Sequence, residues 1–175
     1  TGLGYGALGN TNSGEGNTAI GGFAGSGIAT GSRNIAIGKT AYDFADTEND
    51  NMAIGYNALG GPISGGEYNI AIGNYSLDEN VSGDYNVAVG YNSLTANTAA
   101  SYVTALGGNA LKANTTGSGN TAVGTNAMES NTTGASNTVM GWNALVTNTT
   151  GSNNLAMGVN AMFYNTTGYK NVALG

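Results

Sequence analysis

Large aliphatic residues recur along this chain at one fixed position, directly before a glycine. Counted from glycine to glycine, nine of the ten intervals are 17 residues and one is 18. The glycines of this column are Gly4, Gly21, Gly38, Gly55, Gly73, Gly90, Gly107, Gly124, Gly141, Gly158 and Gly175. A period of this length that persists from end to end is typical of a solenoid, in which each coil contacts only its neighbours. The pattern predicts a rod of about ten coils.

Two apolar columns define the expected interior of each coil. The first is the aliphatic residue before the glycine, which runs from Ile20 to Leu174 and which we expect to form the core. The second stands four residues after the glycine and includes Leu59, Leu94 and Met128, each preceded by a small residue. Alternation over four or five residues is typical of strands, and no apolar pattern of helical period persists. The sequence therefore predicts an all-β parallel solenoid with two short strands in each coil.

Glycine and asparagine supply the expected structural positions of the unit. The column glycines suit a positive φ or a close backbone approach, and a second glycine recurs ten residues later at the next corner. Asn opens nine of the ten units, and stacked identical coils favour side-chain ladders, in which each amide bonds to the next. The structural positions of this kind are Gly21, Gly38, Gly55, Gly73, Gly90, Gly107, Gly124, Gly141, Gly158, Asn120, Asn137 and Asn154.

The whole chain, 1–175, is interpreted as one repeat domain, irregular over 1–106 and regular over 107–175. It starts and stops within the repeat, so we expect it to be an excerpt of a longer fibrous protein. Leu, Ile, Val and Phe total only 30 residues, which leaves a thin core for each coil. The Ala column two residues before the glycine, such as Ala88 and Ala122, is expected on the opposite strand face. These features predict that several chains, three by preference, pack side by side.

Composition removes several function classes. The chain has no Cys and no His, so disulfides, thiol chemistry and the common nucleophilic and zinc constellations are excluded. Ten acidic residues outnumber four basic ones, which argues against binding to a phosphate backbone. No apolar run is long enough to insert into a membrane. We expect neither an enzyme nor a nucleic-acid-binding protein, and no cofactor.

Two groups of side chains are candidates for ligand contact. Asp46, Glu48 and Asp50 alternate along an acidic stretch and are candidate ligands for calcium, although a solvated acidic turn explains the same pattern. Just beyond, the single 18-residue interval predicts an inserted residue and a bulge near 66–68. Tyr68, Tyr85 and Tyr102 follow at 17-residue spacing. They are expected to form a ladder, either a sugar-binding patch or a cover for the corner or for a seam between chains.

The repeats resemble a known family. The segment GNTAIGGFAGSGIATGSRNIAIG at 16–38 and the later NVAVG and NTAVG strands are similar to head repeats of YadA-like trimeric autotransporter adhesins. Related arrays with Asn-Thr-Thr-Gly resemble segments of bacteriophage tail fibres. The resemblance spans the chain and implies a left-handed parallel β-roll, a homotrimer and an extracellular, cell-surface or virion location. It also implies attachment to a host-cell receptor or glycan. This chain departs from the adhesin heads in its longer repeat, and adhesin versus fibre stays open.

The alternative is a ligand-specific β-solenoid such as an ice-binding protein. Thr115–Thr116, Thr132–Thr133 and Thr149–Thr150 form regular ranks that suit a repetitive ligand. Adjacent residues on a strand face opposite ways, however, whereas an ice-type array needs every second residue on one face. The sequence therefore favours the structural and adhesive fibre segment.

Overall fold

The chain folds into a parallel β-solenoid of about ten coils with about 17 residues in each turn and no helix. The structure is a computed structural model that describes residues 1–175. A single sheet runs along the rod, and its strands follow the order of the sequence. The strands are β1 Gly2–Leu3, β2 Thr18–Ile20, β3 Ile35–Ile37, β4 Met52–Ile54, β5 Ile70–Ile72, β6 Val87–Val89, β7 Thr104–Leu106, β8 Thr121–Val123, β9 Thr138–Met140, β10 Leu155–Met157 and β11 Val172–Leu174.

Each strand lies directly on the corresponding residues of its neighbours. Ala88 pairs with Ala105, 17 residues away, and only the step from Met52 to Ile70 spans 18. The insertion is not at 66–68, as the sequence suggested. The Gly61 N–H donates to the Asp78 carbonyl and the Ser64 N–H donates to Val81, so the extra residue falls between Gly61 and Ser64. The exposed Pro62 lies within this segment, and Pro lacks the N–H that a regular position would need.

The interior is built from an Ala column that faces a Leu column. The central Ala of the strands is fully buried, as at Ala36 and Ala88, and so are Leu77 and Leu94. The aliphatic column before the glycine is not core, contrary to the prediction. Side chains alternate across a strand, and the narrow space opposite the Leu column admits only the small central residue. The flanking aliphatic residues therefore point out of the coil, and Met140 is 46% exposed.

The second predicted strand is absent. The segment after the column glycine is a turn, because alternate residues such as Asn57 and Leu59 have φ of 55° and 51°. A left-handed residue at every second position prevents an extended strand. The same geometry explains why the neighbours Ala58 and Leu59 are both buried, which strict strand alternation would forbid.

Interior volume is conserved by exchange between two positions of the coil. Where Gly25 replaces the usual Leu, Ile28 fills the gap, and its Cδ1 lies 3.1 Å from where a Gly25 Cβ would stand. One coil later the buried Tyr42 is accompanied by the small Ala45. The Asn51 side chain donates to the Tyr42 hydroxyl at 2.7 Å, which satisfies the buried oxygen. These exchanges keep the irregular first half of the chain in the same fold.

Buried asparagines satisfy the corners of the coils. The Asn69 side chain donates to the Gly83 carbonyl at 2.9 Å and accepts the Asn86 backbone N–H at 3.0 Å, so each amide links two coils. The ladder of the opening column is thus mainly side chain to backbone. Direct amide-to-amide bonds appear there only in the last coils, as from Asn137 to Asn120 at 3.1 Å. The Asn-Thr-Thr-Gly column carries more of them, as from Asn131 to Asn114 at 2.7 Å.

The column glycines meet both predicted requirements. From Gly21 to Gly158 their φ values lie between +125° and +142°. A Cβ at Gly90 would stand 2.5 Å from the Gly107 carbonyl oxygen of the next coil. The second glycine mostly serves the close approach alone: only Gly65 in that column has a positive φ.

Replacing Gly107 with Ala tests this constraint against an adjacent control. Gly107 has φ +136°, and its Cβ would lie 2.6 Å from Gly124, whereas a Cβ at Gly108 meets nothing closer than 4.0 Å. We expect Gly107→Ala to lower the free energy of unfolding by about 2–3 kcal/mol, because backbone strain and a steric clash combine. Gly108→Ala should change it by no more than about 0.5 kcal/mol. Urea melts followed by circular dichroism measure both, and equal losses would contradict the stacking geometry.

Candidate functional site

Tyr68, Tyr85 and Tyr102 form the predicted ladder on one corner of the rod. Each sits in a left-handed backbone position with φ of 56–60°, two residues before the first outward residue of its strand. Ring centroids are 4.9 Å apart between Tyr68 and Tyr85 and 5.3 Å apart between Tyr85 and Tyr102, with interplanar angles of 6° and 3°. The rings therefore stack on each other along the rod. They present their edges and hydroxyls, rather than a row of free faces, to solvent.

Polar groups extend the tyrosine column toward the N-terminal coils. The Arg33 guanidinium binds the Asp50 carboxylate through two contacts of 2.7 and 2.6 Å. This hydrogen-bonded pair holds the pKa of Asp50 below its ordinary value. Nearby, Glu67 accepts the Asn49 side chain at 2.8 Å and Asp84 accepts the Glu67 backbone N–H at 2.9 Å. The acidic residues next to the ladder thus take part in hydrogen bonds between coils.

A second aromatic group lies on the other side of the strands and was missed by sequence reasoning. Tyr56, Tyr75 and Tyr91 follow the column glycines and make edge-to-face contacts, with centroids 5.3 and 6.2 Å apart. Their spacing of 19 and then 16 residues conceals them from a search at period 17. They pair because Tyr75 stands one position later in its coil than Tyr56 and Tyr91.

The outward face of the sheet carries two rows of side chains between these aromatic groups. Most are half-buried to exposed aliphatic residues, although a short run of threonines occupies the first row of β7–β9. The two rows are Ile35, Met52, Ile70, Val87, Thr104, Thr121, Thr138 and Leu155, and Ile37, Ile54, Ile72, Val89, Leu106, Val123, Met140 and Met157. This surface, called the aliphatic face below, is the largest continuous apolar feature on the rod's exterior.

The three calcium candidates are separated by their own hydrogen bonds. Glu48 is buried and accepts the backbone N–H groups of Asp46, Thr47 and Gly65 at 2.9–3.0 Å. Asp50 is engaged with Arg33, and Asp46 is exposed. No three acidic side chains anywhere in the chain converge on one point as metal ligands. Glu48 instead secures the turn beside the inserted segment.

The threonine ranks differ in their environment. Thr115, Thr132 and Thr149 are half-buried and donate their hydroxyls to the carbonyl of the next coil at 3.0–3.1 Å. The following column, Thr116, Thr133 and Thr150, is exposed. One of the two columns is therefore already committed to holding the coils together.

The class that this geometry defines is a β-solenoid repeat protein. No family model, curated protein or solved structure matches the chain significantly. None of its segments forms a helix that could cross a membrane.

Asp43 gives a pH test of the acidic coil. Partial burial, together with the nearby Asp78 charge, raises the pKa of Asp43 from 3.8 to about 6, and its Oδ1 has no hydrogen-bond partner. The folded state therefore holds this proton more tightly than the unfolded state. The contribution of Asp43 to stability is fully retained below about pH 4 and falls as pH rises to about 6. We expect Asp43→Asn to remove this decline.

Melting temperatures of the native chain and Asp43→Asn across pH 4–7 provide the measurement. Their difference should grow in favour of the variant as pH rises, because Asn is neutral throughout. Asp46→Asn is the control, since Asp46 is exposed. A pH-independent difference between native and Asp43→Asn would show that Asp43 keeps its ordinary pKa.

Proposed function

We propose that this chain is a non-catalytic fibre segment, a head or shaft that mediates attachment to cell surfaces. In this proposal three copies pack in parallel register as left-handed β-rolls. The assembly belongs outside the cell, either in a bacterial surface adhesin or in a phage tail fibre. The observation that carries the proposal is the aliphatic face, which runs the length of the rod on its exterior.

Apolar area on this scale favours contact between chains. At about 4.8 Å for each coil, the face is roughly 45–50 Å long. A continuous exposed apolar strip of this length is unusual on a monomeric soluble protein and marks an interface. Each coil supplies two outward side chains at the same height, so a parallel partner in register meets the same chemistry at every tier. A cyclic arrangement about an axis along the rod satisfies this requirement.

The rest of the exterior supports an attachment role rather than chemistry. The sequence contains no His or Cys, and the three depressions on the surface are shallow and formed by few side chains. A stiff rod with aromatic groups near the edges of its interface suits a spacer or a recognition head. The resemblance of the repeat strands to adhesin heads and tail fibres supports the same function.

Oligomer mass tests the proposal at the aliphatic face. Leu106→Asp places a charge on this face, where we expect it to convert a trimer to a monomer because a buried unpaired charge is strongly unfavourable. Thr116→Asp, on an exposed turn, should leave the trimer intact. Sedimentation velocity distinguishes multiples of the 17.3 kDa chain. A monomeric native chain, or equal behaviour of the two variants, would contradict the assembly.

The inward Ala column supplies a contrasting variant. Ala88 is fully buried inside its own coil, so Ala88→Arg should unfold the coils around it rather than only separate the chains. Circular dichroism distinguishes the two effects. A folded monomeric Ala88→Arg would instead place the Ala column at the chain interface.

Binding of the labelled trimer to cells measures the attachment itself. We expect saturable binding by the native trimer and at least a tenfold loss with the monomeric Leu106→Asp, because three copies bind with avidity. The Thr116→Asp trimer is the matched control. Absence of binding to any of a panel of bacterial and animal cells would refute attachment while leaving the oligomer result intact.

A further inference from the structure

The tyrosine ladder ends with one uncovered ring face. Beyond Tyr102 the next residue in the same column is Gly119, which has no side chain, and the one after it is Ser136. Exposure rises along the stack from 45% at Tyr68 to 49% at Tyr85 and 67% at Tyr102. Tyr68 also ends the stack, but its outer side adjoins the tier of the Arg33–Asp50 pair. Tyr102 is thus the ring with a free face.

The missing side chain at Gly119 leaves a slot one tier high. Coils repeat at about 4.8 Å, so the tiers of Tyr102 and Ser136 are roughly 10 Å apart. That gap matches the space of one further ring in the ladder, where centroids are 4.9–5.3 Å apart. A Cβ at Gly119 would come no closer than 3.6 Å to any atom of Ser136, so the slot is open at its base.

Hydroxyl groups border the slot. Ser118 lies beside Gly119, and its Oγ accepts the Ser101 N–H at 3.1 Å. The exposed Ser136 stands on the far side, and Thr121 is the first outward residue of β8. An apolar ring face on one wall with hydroxyls on the others suits a ligand that has an apolar face and a polar rim. An aromatic guest would instead need an apolar wall on both sides.

Charge selects among ligands of that shape. Residues 91–107 contain no charged side chain, residues 108–124 contain only Lys112, and residues 125–141 contain only Glu129. Lys112 and Glu129 both line a separate depression with Glu79 and Thr95, on another part of the coil. No cation therefore faces the slot to pair with a carboxylate or sulfate group.

From these observations we propose that an uncharged pyranose sugar stacks on the free face of Tyr102 above Gly119. The choice of a cell-surface sugar rests on the proposed attachment function. The site itself follows from the ladder geometry. It replaces the expected patch over all three tyrosines, because Tyr68 and Tyr85 use their faces in stacking on their neighbours.

Saturation-transfer NMR on the 175-residue chain tests the site, with the methyl pyranosides of glucose, galactose and mannose as neutral probes and that of N-acetylneuraminic acid as the anionic one. We expect transfer from tyrosine ring protons to at least one neutral glycoside and a signal at least tenfold weaker for the anionic probe. Gly119→Tyr should abolish transfer by adding a fourth ring in the slot. The substitution is compatible with the fold, because Gly119 has φ +69° and Tyr102 has φ +60° in the same column.

Two matched controls separate the slot from general effects. Gly16→Tyr makes the same change at the other end of the column, where Gly16 has φ +71°, and should retain binding. Tyr102→Phe keeps the ring face and should bind within about threefold of the native chain, whereas Tyr102→Ser should lose at least tenfold. Circular dichroism and sedimentation check each variant for folding and oligomer mass.

The proposal is overturned if no neutral glycoside binds, or if binding persists in Gly119→Tyr. It is also overturned if Tyr102→Ser changes the oligomer mass, because the ring would then belong to the seam between chains. Cell attachment by a native trimer that binds no glycoside would refute the sugar slot and retain the attachment function. Loss of both would refute both.

Discussion

Axial stacking of like residues is the constraint on which this structure depends. Only 19 of the 110 backbone hydrogen bonds lie within the strands, and the other 91 lie in turns and corners, many of them joining residues 16–18 apart. The turns therefore carry as much of the register as the sheet does. A coil can rest on its neighbour at this spacing only where side chains are absent from the crossing points, which is why the column glycines recur without exception.

The same constraint converts single positions into continuous surfaces. Once coils are in register, an Asn at a corner becomes a ladder, a Tyr becomes a stack and an aliphatic residue becomes a strip. Buried polarity is tolerated because each Asn amide bonds both within its corner and to the next coil. Where Val103 replaces the opening Asn, the side chain stays buried but cannot continue the ladder. Function in such a rod is determined by which columns point outward and by where a column is interrupted, as at Gly119.

Sequence periodicity was sufficient for the solenoid, its coil number and the tyrosine ladder, because each depends only on spacing. It was insufficient for the facing of the strands. Alternation in a three-residue strand such as Ile35–Ile37 permits either face to be core, and hydrophobicity alone favours the two isoleucines. The decision comes from the narrow gap opposite the Leu column, which is a property of the assembled coil. The left-handed residues Asn57 and Leu59 were equally hidden, because neither is a glycine, and the inserted segment could not be placed without its hydrogen bonds.

Intermolecular distances between spin labels test most directly whether the aliphatic face joins copies in parallel register. Cys substituted at Thr116 or at Thr150, one at a time, places the label in the same exposed column two coils apart. In a parallel homotrimer both sites report the same single distance, because every tier repeats the same cross-section. Two different distances would indicate an antiparallel or staggered assembly, and no intermolecular distance would indicate a monomer. Either result would contradict the account.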